Sequence, residues 1–318
     1  MKVLLTGAAG FIGSNMARKC IEEGWTVDGV DNMSNGHSEF VPKGMNAFFY
    51  CDFASPDVLL NVHAQKYDAV IHLAAIPRVS YSVEHPVETN ETNVGSTLKL
   101  MDACHGNINK FVFASSSSVY GGADVLPTPE SHDRNPKSPY ALQKAVIEDY
   151  LKLYRDLYGL DSACMRFFNV FGPNQLGGSP YATAVSAWLT AIKEGRPMRS
   201  DGDGSQSRDM CYVDNVVDAC MRAANHGDKL HAACFNVACG DRTSNLDILK
   251  VLKARYPNAT HIDAPWRPGD VLHTQADVSK AELVLGYVPI VRFWEGFERT
   301  VNWYEENWDM IKGMKLRT

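Results

Sequence analysis

The chain has 318 residues, about twice the length typical of one domain, so one large α/β unit or two domains is expected. Its 45% hydrophobic and 21% charged residues are ordinary for a soluble globular enzyme. With 31 Lys and Arg against 37 Asp and Glu, the net charge is −6, which excludes a basic nucleic-acid footprint over the chain as a whole. Any anion must therefore be held by a few placed Arg or Lys side chains or by backbone N–H groups.

In chain order, Lys2–Thr6, Thr26–Val30, Ala47–Cys51, Ala69–Leu73, Lys110–Ala114 and Ala163–Phe168 are short, apolar, β-branched runs that predict strands. Phe11–Glu23, Pro56–Ala64, Pro86–Cys104 and Tyr140–Tyr158 alternate with them and predict helices. Such alternation implies an α/β fold, a Rossmann-type doubly wound parallel sheet with helices on both faces. After about residue 170 the rhythm loosens, with Gly172-Pro173 and Gly177-Gly178-Ser179-Pro180 marking a loop, a helix running to about Glu194, and Ser200–Ser205 breaking the pattern again. The expected division is a dinucleotide domain over 1–168, a return segment over about 212–240 whose strand near Cys234–Ala238 rejoins the first sheet, and a smaller interleaved substrate domain over 169–211 and 241–318. In the last helix Phe293, Phe297, Val301, Tyr304 and Trp308 recur every three or four residues, one buried face.

The 8 Cys include no CxxC pair and sit on apolar stretches, as expected of reduced, buried thiols. The tightest metal-like grouping, His226, His231, Cys234 and Cys239, overlaps an apolar run (Ala232–Ala238) that predicts a buried strand, so no metal is expected. No run approaches the roughly 18 apolar residues of a membrane helix. The apolar start Met1–Leu5 is broken at once by Thr6, Gly7, Gly10 and Gly13, which argues against a signal peptide and for a cytoplasmic chain.

The first strand runs directly into Gly7-Ala8-Ala9-Gly10-Phe11-Ile12-Gly13, a GxxGxxG turn opening a helix. Glycines serve where backbone turns tightly, approaches a pyrophosphate or packs helix against strand, and the helix N-terminus then holds the phosphates. Asp31 ends the second strand, beside Asn32, where a carboxylate accepts hydrogen bonds from an adenosine ribose and repels a 2′-phosphate. No Arg follows in Asn32-Met33-Ser34-Asn35, so NAD is favoured over NADP. Taken alone, Asp31 could also be a strand-end turn residue, the less favoured of the two readings. Asp52 and Phe53 follow the third strand, where they could meet the adenine. After the fourth, Leu73, Ala74 and Ala75 leave small side chains where a cofactor could lie on the backbone. Asn93 is a further cofactor candidate.

Ser115–Ser118 with Val119-Tyr120-Gly121 lies at the C-terminal end of the fifth strand, where open α/β sheets place ligands. Tyr140 and Lys144 stand four apart at the start of a helix and so share a face. An ammonium beside a phenol stabilises the phenolate, at about 1.4 kcal/mol per pKa unit, and a serine hydroxyl can hold a substrate hydroxyl against it. A YxxxK pair by itself is common; its place downstream of a nucleotide turn and a serine-bearing strand end gives it meaning.

These motifs resemble the extended short-chain dehydrogenase/reductase family, in its NAD-dependent nucleotide-sugar epimerase branch. The likeness covers nearly the whole chain, through Thr6–Gly13, His72–Ala75, Ser116–Gly121, Pro139–Lys144, Arg166–Pro173, Arg208-Asp209, Tyr212–Asp214 and Arg267–Asp270. Ala8 departs from the glycine frequent there, at a position without a chemical role. The resemblance implies NAD as cofactor and a tyrosine base: Tyr140 takes the proton of a sugar 4-hydroxyl while its C4 gives up a hydride, and the 4-keto sugar then turns over and recovers the hydride on its other face. Lys144 would lower the tyrosine pKa and hold the nicotinamide ribose, and Ser116, helped by Ser118, would bond the reacting oxygen, with Ser117 a further substrate-binding candidate. Arg208 and Arg267 would grip the nucleotide diphosphate, and Asn169, Tyr181 and Asp270 would contact the nucleotide sugar.

The absence of a carboxylate beside Ser117 and Ser118 sets the chain apart from the dehydratases and decarboxylases of that family. Among epimerases it is most similar to UDP-N-acetylglucosamine 4-epimerases, through Gly178–Ala182, Asp201–Gly204 with Ser207–Asp209, and Arg267–Asp270 with His273-Thr274. Thr274 matches the position that gates pocket size, where a bulky Tyr excludes an N-acetyl group. UDP-glucose and UDP-glucuronate epimerases remain alternatives, as does a non-enzymatic NAD-sensing module. The resemblance further implies a UDP-sugar substrate and a homodimer joined through the helices over Pro86–Cys104 and Tyr140–Tyr158.

Overall fold

Strand burial on both faces decides the architecture. The computed structural model describes residues 1–314 apart from 66, 78, 179–181 and 267–270. Its centre is a seven-stranded sheet formed by β1 (Lys2–Thr6), β2 (Thr26–Val30), β3 (Ala47–Phe49), β4 (Ala69–His72), β5 (Lys110–Ser116), β6 (Ser162–Phe167) and a return strand, Ala233–Val237. The spatial order is return strand, β6, β5, β4, β1, β2, β3, and every pairing is parallel. Side chains alternate across each strand, so Val3 and Leu5 enter one hydrophobic core while Leu4 enters the other. Val112 likewise faces the first core and Phe111 and Phe113 the second. Such continuous apolar runs are what a doubly covered sheet requires.

The chain runs outward from β1 to β3, then crosses back to place β4 on the other side of β1. Connections therefore diverge at the C-terminal ends of β1 and β4 and leave a crevice there, the place where open α/β sheets bind ligands.

The expected elements recur with shifted ends. The helix after β1 covers Phe11–Glu22 and the catalytic-side helix Pro139–Tyr158. The latter starts at Ser138, whose side chain accepts from Ala141 N, with Pro139 in the first turn, and stops at Gly159 in the left-handed region at φ 71°. Such a serine cap contributes about 1 kcal/mol. The stretch expected as one helix over Pro86–Cys104 is helical throughout but passes through a π-type turn at Glu91–Ser96. The Asn93 side chain accounts for its setting: its Oδ1 accepts from Ile76 N (2.8 Å), and its Nδ2 donates to Ile76 O (3.0 Å) and Gln143 Oε1 (2.8 Å).

Beyond β6 the strands come in short pairs, Val170–Phe171 with Cys211–Tyr212, Ser207–Arg208 with Thr243–Ser244, and Met198–Asp201 with His261–Ala264. Of three further helices that the sequence pattern does not predict, Asn245–Arg255 follows the strand Thr243–Ser244, whereas Val213–Ala224 packs on the large sheet beside the helix Phe11–Glu22 and Ser279–Leu285 packs on the return strand. The last helix, Phe293–Ile311, buries Phe293, Phe297, Val301 and Tyr304 as its periodicity implies, while Trp308 is only half-buried. Among the described residues no helix is long and apolar enough to cross a membrane, and no three His, Cys, Asp or Glu converge as a metal site.

Candidate active site

The turn after β1 is shaped by contact. Gly7 has φ +70°, and a Cβ there would lie 3.0 Å from Ala74 N. A Cβ on Gly13 would come within 1.9 Å of Gly7 O, so helix and turn can meet only if that residue is glycine. Gly10 caps the helix with no side-chain bond, and no acidic residue lies in the first turn. The N–H groups of Phe11 and Ile12 at this positive helix end are thus available to an anion.

Thr6 organises the neighbouring strand ends. Its Oγ1 accepts from Leu73 N (3.1 Å) and Ala74 N (3.0 Å), so its own proton goes to His72 Nδ1 at 2.7 Å. His72 Nε2 then carries the hydrogen donated to Thr97 Oγ1 at 3.0 Å. Burial, and after it the nearby Lys144 charge, push this imidazole down to about 3, so it stays neutral. Ala75 follows, half-buried.

At the end of β2, Asp31 accepts from Ala9 N on one oxygen (3.0 Å) and from Met33 N on the other (2.8 Å). Each oxygen keeps an acceptor site for a ribose diol. Burial raises its carboxyl above the usual range, against the pull of those two N–H bonds. Asn32 Oδ1 accepts from Ser34 N, and Asp52 Oδ1 from Ala54 N, so both side chains brace their own loops. Phe53 is buried edge-on to His72 with ring centroids 4.8 Å apart. Its ring belongs to the core. Asn93 similarly spends both amide hydrogens within the protein. The glycine turn, the uncapped helix end and Asp31 fit a dinucleotide, whose pyrophosphate they would receive at Gly10–Gly13 and whose ribose at Asp31.

The chemical groups converge at the end of β5. Tyr140 is placed by the helix cap and by Ser82 Oγ, which accepts from Tyr140 N at 3.1 Å. Its hydroxyl lies beside Ser116, whose side chain favours the phenolate. Lys144, one turn on, is 4% exposed, donates to Ala114 O at 2.6 Å, and lies 4.7 Å from the Phe113 ring centroid and 5.8 Å from that of Tyr140. The expected lowering of the tyrosine pKa meets a desolvated site. Burial pushes Tyr140 up to about 12 despite the Ser116 side chain, and pushes Lys144 down to about 7 despite Glu148. Loss of water disfavours every charged form, so the protein by itself holds the tyrosine neutral. Ser116 Oγ accepts from Ser118 N at 3.1 Å, while Ser118 Oγ is shielded from solvent without a partner among the described residues. Ser117 is half-buried beside them.

On the facing side, Asn169 Nδ2 lies 3.4 Å from Thr274 Oγ1 and 3.5 Å from Asp209 O. Arg208 Nη1 donates to Ser207 O and Leu272 O, both at 3.1 Å. Asn169, Arg208 and Thr274, far apart in sequence, thus meet in one segment cluster. Tyr181, Arg267 and Asp270 lie outside the described residues.

Two supporting carboxylates carry signals that sequence reading passed over. Glu148 is fully buried and receives Ser115 Oγ (2.6 Å), Arg166 Nε (2.9 Å) and Arg166 Nη2 (2.7 Å). It stands four residues after Lys144 on the same helix face, a YxxxKxxxE spacing that could have marked it. Asp209, also fully buried, is named above only within a motif. Burial pushes its carboxyl up to about 7, against three backbone N–H bonds.

Comparison with known proteins agrees with this geometry. The sequence profile of the NAD dependent epimerase/dehydratase family matches residues 3–238. The UDP-glucose 4-epimerase of Mycolicibacterium smegmatis is 35% identical over 314 residues, covering 96% of this chain and 98% of that one. Among solved structures, the UDP-glucose 4-epimerase of Thermotoga maritima with UDP-glucose superposes with a TM-score of 0.91 at 32% identity, over 97% of this chain and all of that one (100%). The UDP-N-acetylglucosamine 4-epimerase of Methanobrevibacter ruminantium, in complex with UDP-N-acetylmuramic acid, gives 0.89 at 34% identity, over 96% and 98%. The glycine turn that fits a dinucleotide and the family's cofactor coincide, so NAD is the cofactor of this enzyme. By likeness along almost its whole length, the chain belongs to the NAD dependent epimerase/dehydratase family.

Proposed function

We propose that the protein is a UDP-hexose 4-epimerase acting on UDP-GlcNAc and UDP-GalNAc, with room for UDP-glucose and UDP-galactose. The observation that carries the reading is the meeting of Ser116, Tyr140 and Lys144 at the C-terminal end of β5, beside the dinucleotide crevice. NAD, when bound, would supply the hydride acceptor and donor. Ser116 orients the sugar hydroxyl against Tyr140. The Tyr140 oxygen takes that proton as the carbon is oxidised and returns it when the carbon is reduced on its other face. Lys144, held by Ala114 O, supplies the charge that favours the phenolate. Residues 1–168 with about 212–240 would hold NAD, and 169–211 with 241–318 the UDP-sugar, whose diphosphate falls to Arg208 and Arg267. Tyr181, Asn169 and Asp270 would complete that grip.

Thr274 supports the choice of sugar. A threonine whose hydroxyl is engaged by Asn169 and Asp209 N keeps the pocket wall small. Incubation of the holoenzyme with a panel of UDP-sugars, read by NMR, is expected to show UDP-GalNAc growing from UDP-GlcNAc. Conversion of UDP-glucose or UDP-glucuronate alone would replace the substrate assignment.

The same reading includes a homodimer. Val83, Val87 and Leu142 are 60%, 70% and 54% exposed. Val87 and Leu142 line one groove of about 470 Å³ with Pro86, Asn90 and Val146, between the helices Pro86–Asn90 and Pro139–Tyr158. A face this apolar is better covered than wet. Light scattering is expected to give twice 35.2 kDa, and Val87→Glu the single mass. A wild-type monomer at micromolar concentration would refute the dimer.

A further inference from the structure

Asp209 is a carboxylate at 0% exposure, and among the described residues no basic side chain pairs with it. Its charge is met by backbone alone. Oδ1 accepts from Cys239 N at 2.9 Å, and Oδ2 from Gly240 N and Ala276 N, both at 3.0 Å. Its own main chain is also engaged: Asp209 N donates to Thr274 Oγ1 at 3.2 Å, and Asp209 O lies 3.5 Å from Asn169 Nδ2.

These bonds join four separate segments. Cys239 and Gly240 lie two and three residues beyond the return strand of the large sheet, which ends at Val237. Ala276 sits two residues beyond Thr274. Asn169 immediately precedes the strand Val170–Phe171, and Arg208 immediately precedes Asp209. Gln275 Nε2 donates to Gly240 O at 3.0 Å and closes the ring from the other side. An isolated buried carboxylate is costly unless its acceptors are filled. Three convergent N–H groups fill them only when all the segments stand in register, so the charge acts as a test of that register.

We infer that Asp209 is the positioning residue of the UDP-sugar site: it fastens the segments carrying Arg208, Asn169 and Thr274 to the edge strand of the NAD-binding sheet, and so sets substrate affinity without touching substrate. The inference rests on the reading that those three residues face the UDP-sugar. An asparagine at 209 has the same size but replaces one acceptor oxygen by an NH₂ aimed at an N–H donor, so it must rotate or displace a segment.

Holoenzyme carrying Asp209→Asn is expected to bind UDP about tenfold more weakly by calorimetry and to show a KM raised in proportion, with kcat within about threefold of wild type. Its NAD content should be unchanged. UDP affinity within about twofold of wild type, or a fall in kcat or NAD content at unchanged KM, would overturn the inference. Arg208→Ala separates it from the reading beneath. If Arg208→Ala weakens UDP binding and Asp209→Asn does not, Asp209 alone loses its role; if neither does, the placement of the diphosphate fails with it. Should Asp209→Asn not fold, hydrogen exchange of wild-type holoenzyme over 238–241 decides. Slower exchange on adding UDP supports the coupling, and unchanged exchange refutes it.

Discussion

Tyr140→Phe is expected to lower turnover of the UDP-hexose by about 10³-fold while the purified enzyme keeps its NAD. The substitution removes one oxygen and retains the ring beside Lys144, so the helix start and the packing against the strand end are undisturbed. What disappears is the hydroxyl beside Ser116 that can exchange a proton with a sugar hydroxyl. NMR of the substrate mixture measures the first quantity, and release of NAD by acid measures the second. Turnover within about tenfold of wild type would show that another group is the base. It would also reopen the reading of the protein as a cofactor-binding module, since such a module does not depend on the hydroxyl.

The pH dependence of kcat follows from the same pair. Burial pushes Lys144 down to about 7 and Tyr140 up to about 12. Below the lower value both groups are protonated and the tyrosine cannot accept a proton. Above it the pair has lost one proton, and the phenolate–ammonium arrangement is one of the two ways to distribute the proton that remains. Activity should therefore rise with pH through about 7, approaching a tenfold loss per pH unit well below it, and then level off. Lys144→Met removes the ammonium and leaves only the high tyrosine value, so its acid limb should move upward and its activity at pH 7 fall by about 10²-fold or more. A flat wild-type profile from pH 6 to 9 would contradict this assignment. A Lys144→Met limb at the wild-type position would contradict it equally.

Both expectations depend on features that differ in how far they can be read from sequence. The doubly wound sheet is legible because most of its strands are short, mainly apolar runs, and such runs alternating with helices have few other solutions. The glycine turn is legible because Gly10 and Gly13 answer contacts within the turn itself, while the close approach of Gly7 to Ala74 belongs to the packed sheet. Tyr140 and Lys144 are legible because a helix brings positions four apart together whatever surrounds it. Asp31 follows from its place at a strand end.

Other assignments shifted once long-range packing entered. Phe53, offered as an adenine neighbour, turns into the core against His72, since a large ring beside a buried imidazole gains more from burial than from exposure. Asn93 spends its amide on Ile76 and Gln143, and the helix around it takes a π turn that local propensity gives no sign of.

Reading along the chain was enough for the alternation of elements, the glycine turn, the tyrosine–lysine spacing and the kind of cofactor, because all of these arise from interactions over a few residues. It could not supply the protonation of the pair, since desolvation depends on everything that surrounds a side chain. Nor could it supply the meeting of Asn169 with Thr274, 105 residues away, or the three N–H groups that close on Asp209. Those contacts exist only when distant segments are packed in one register, and no local pattern records which segments will meet.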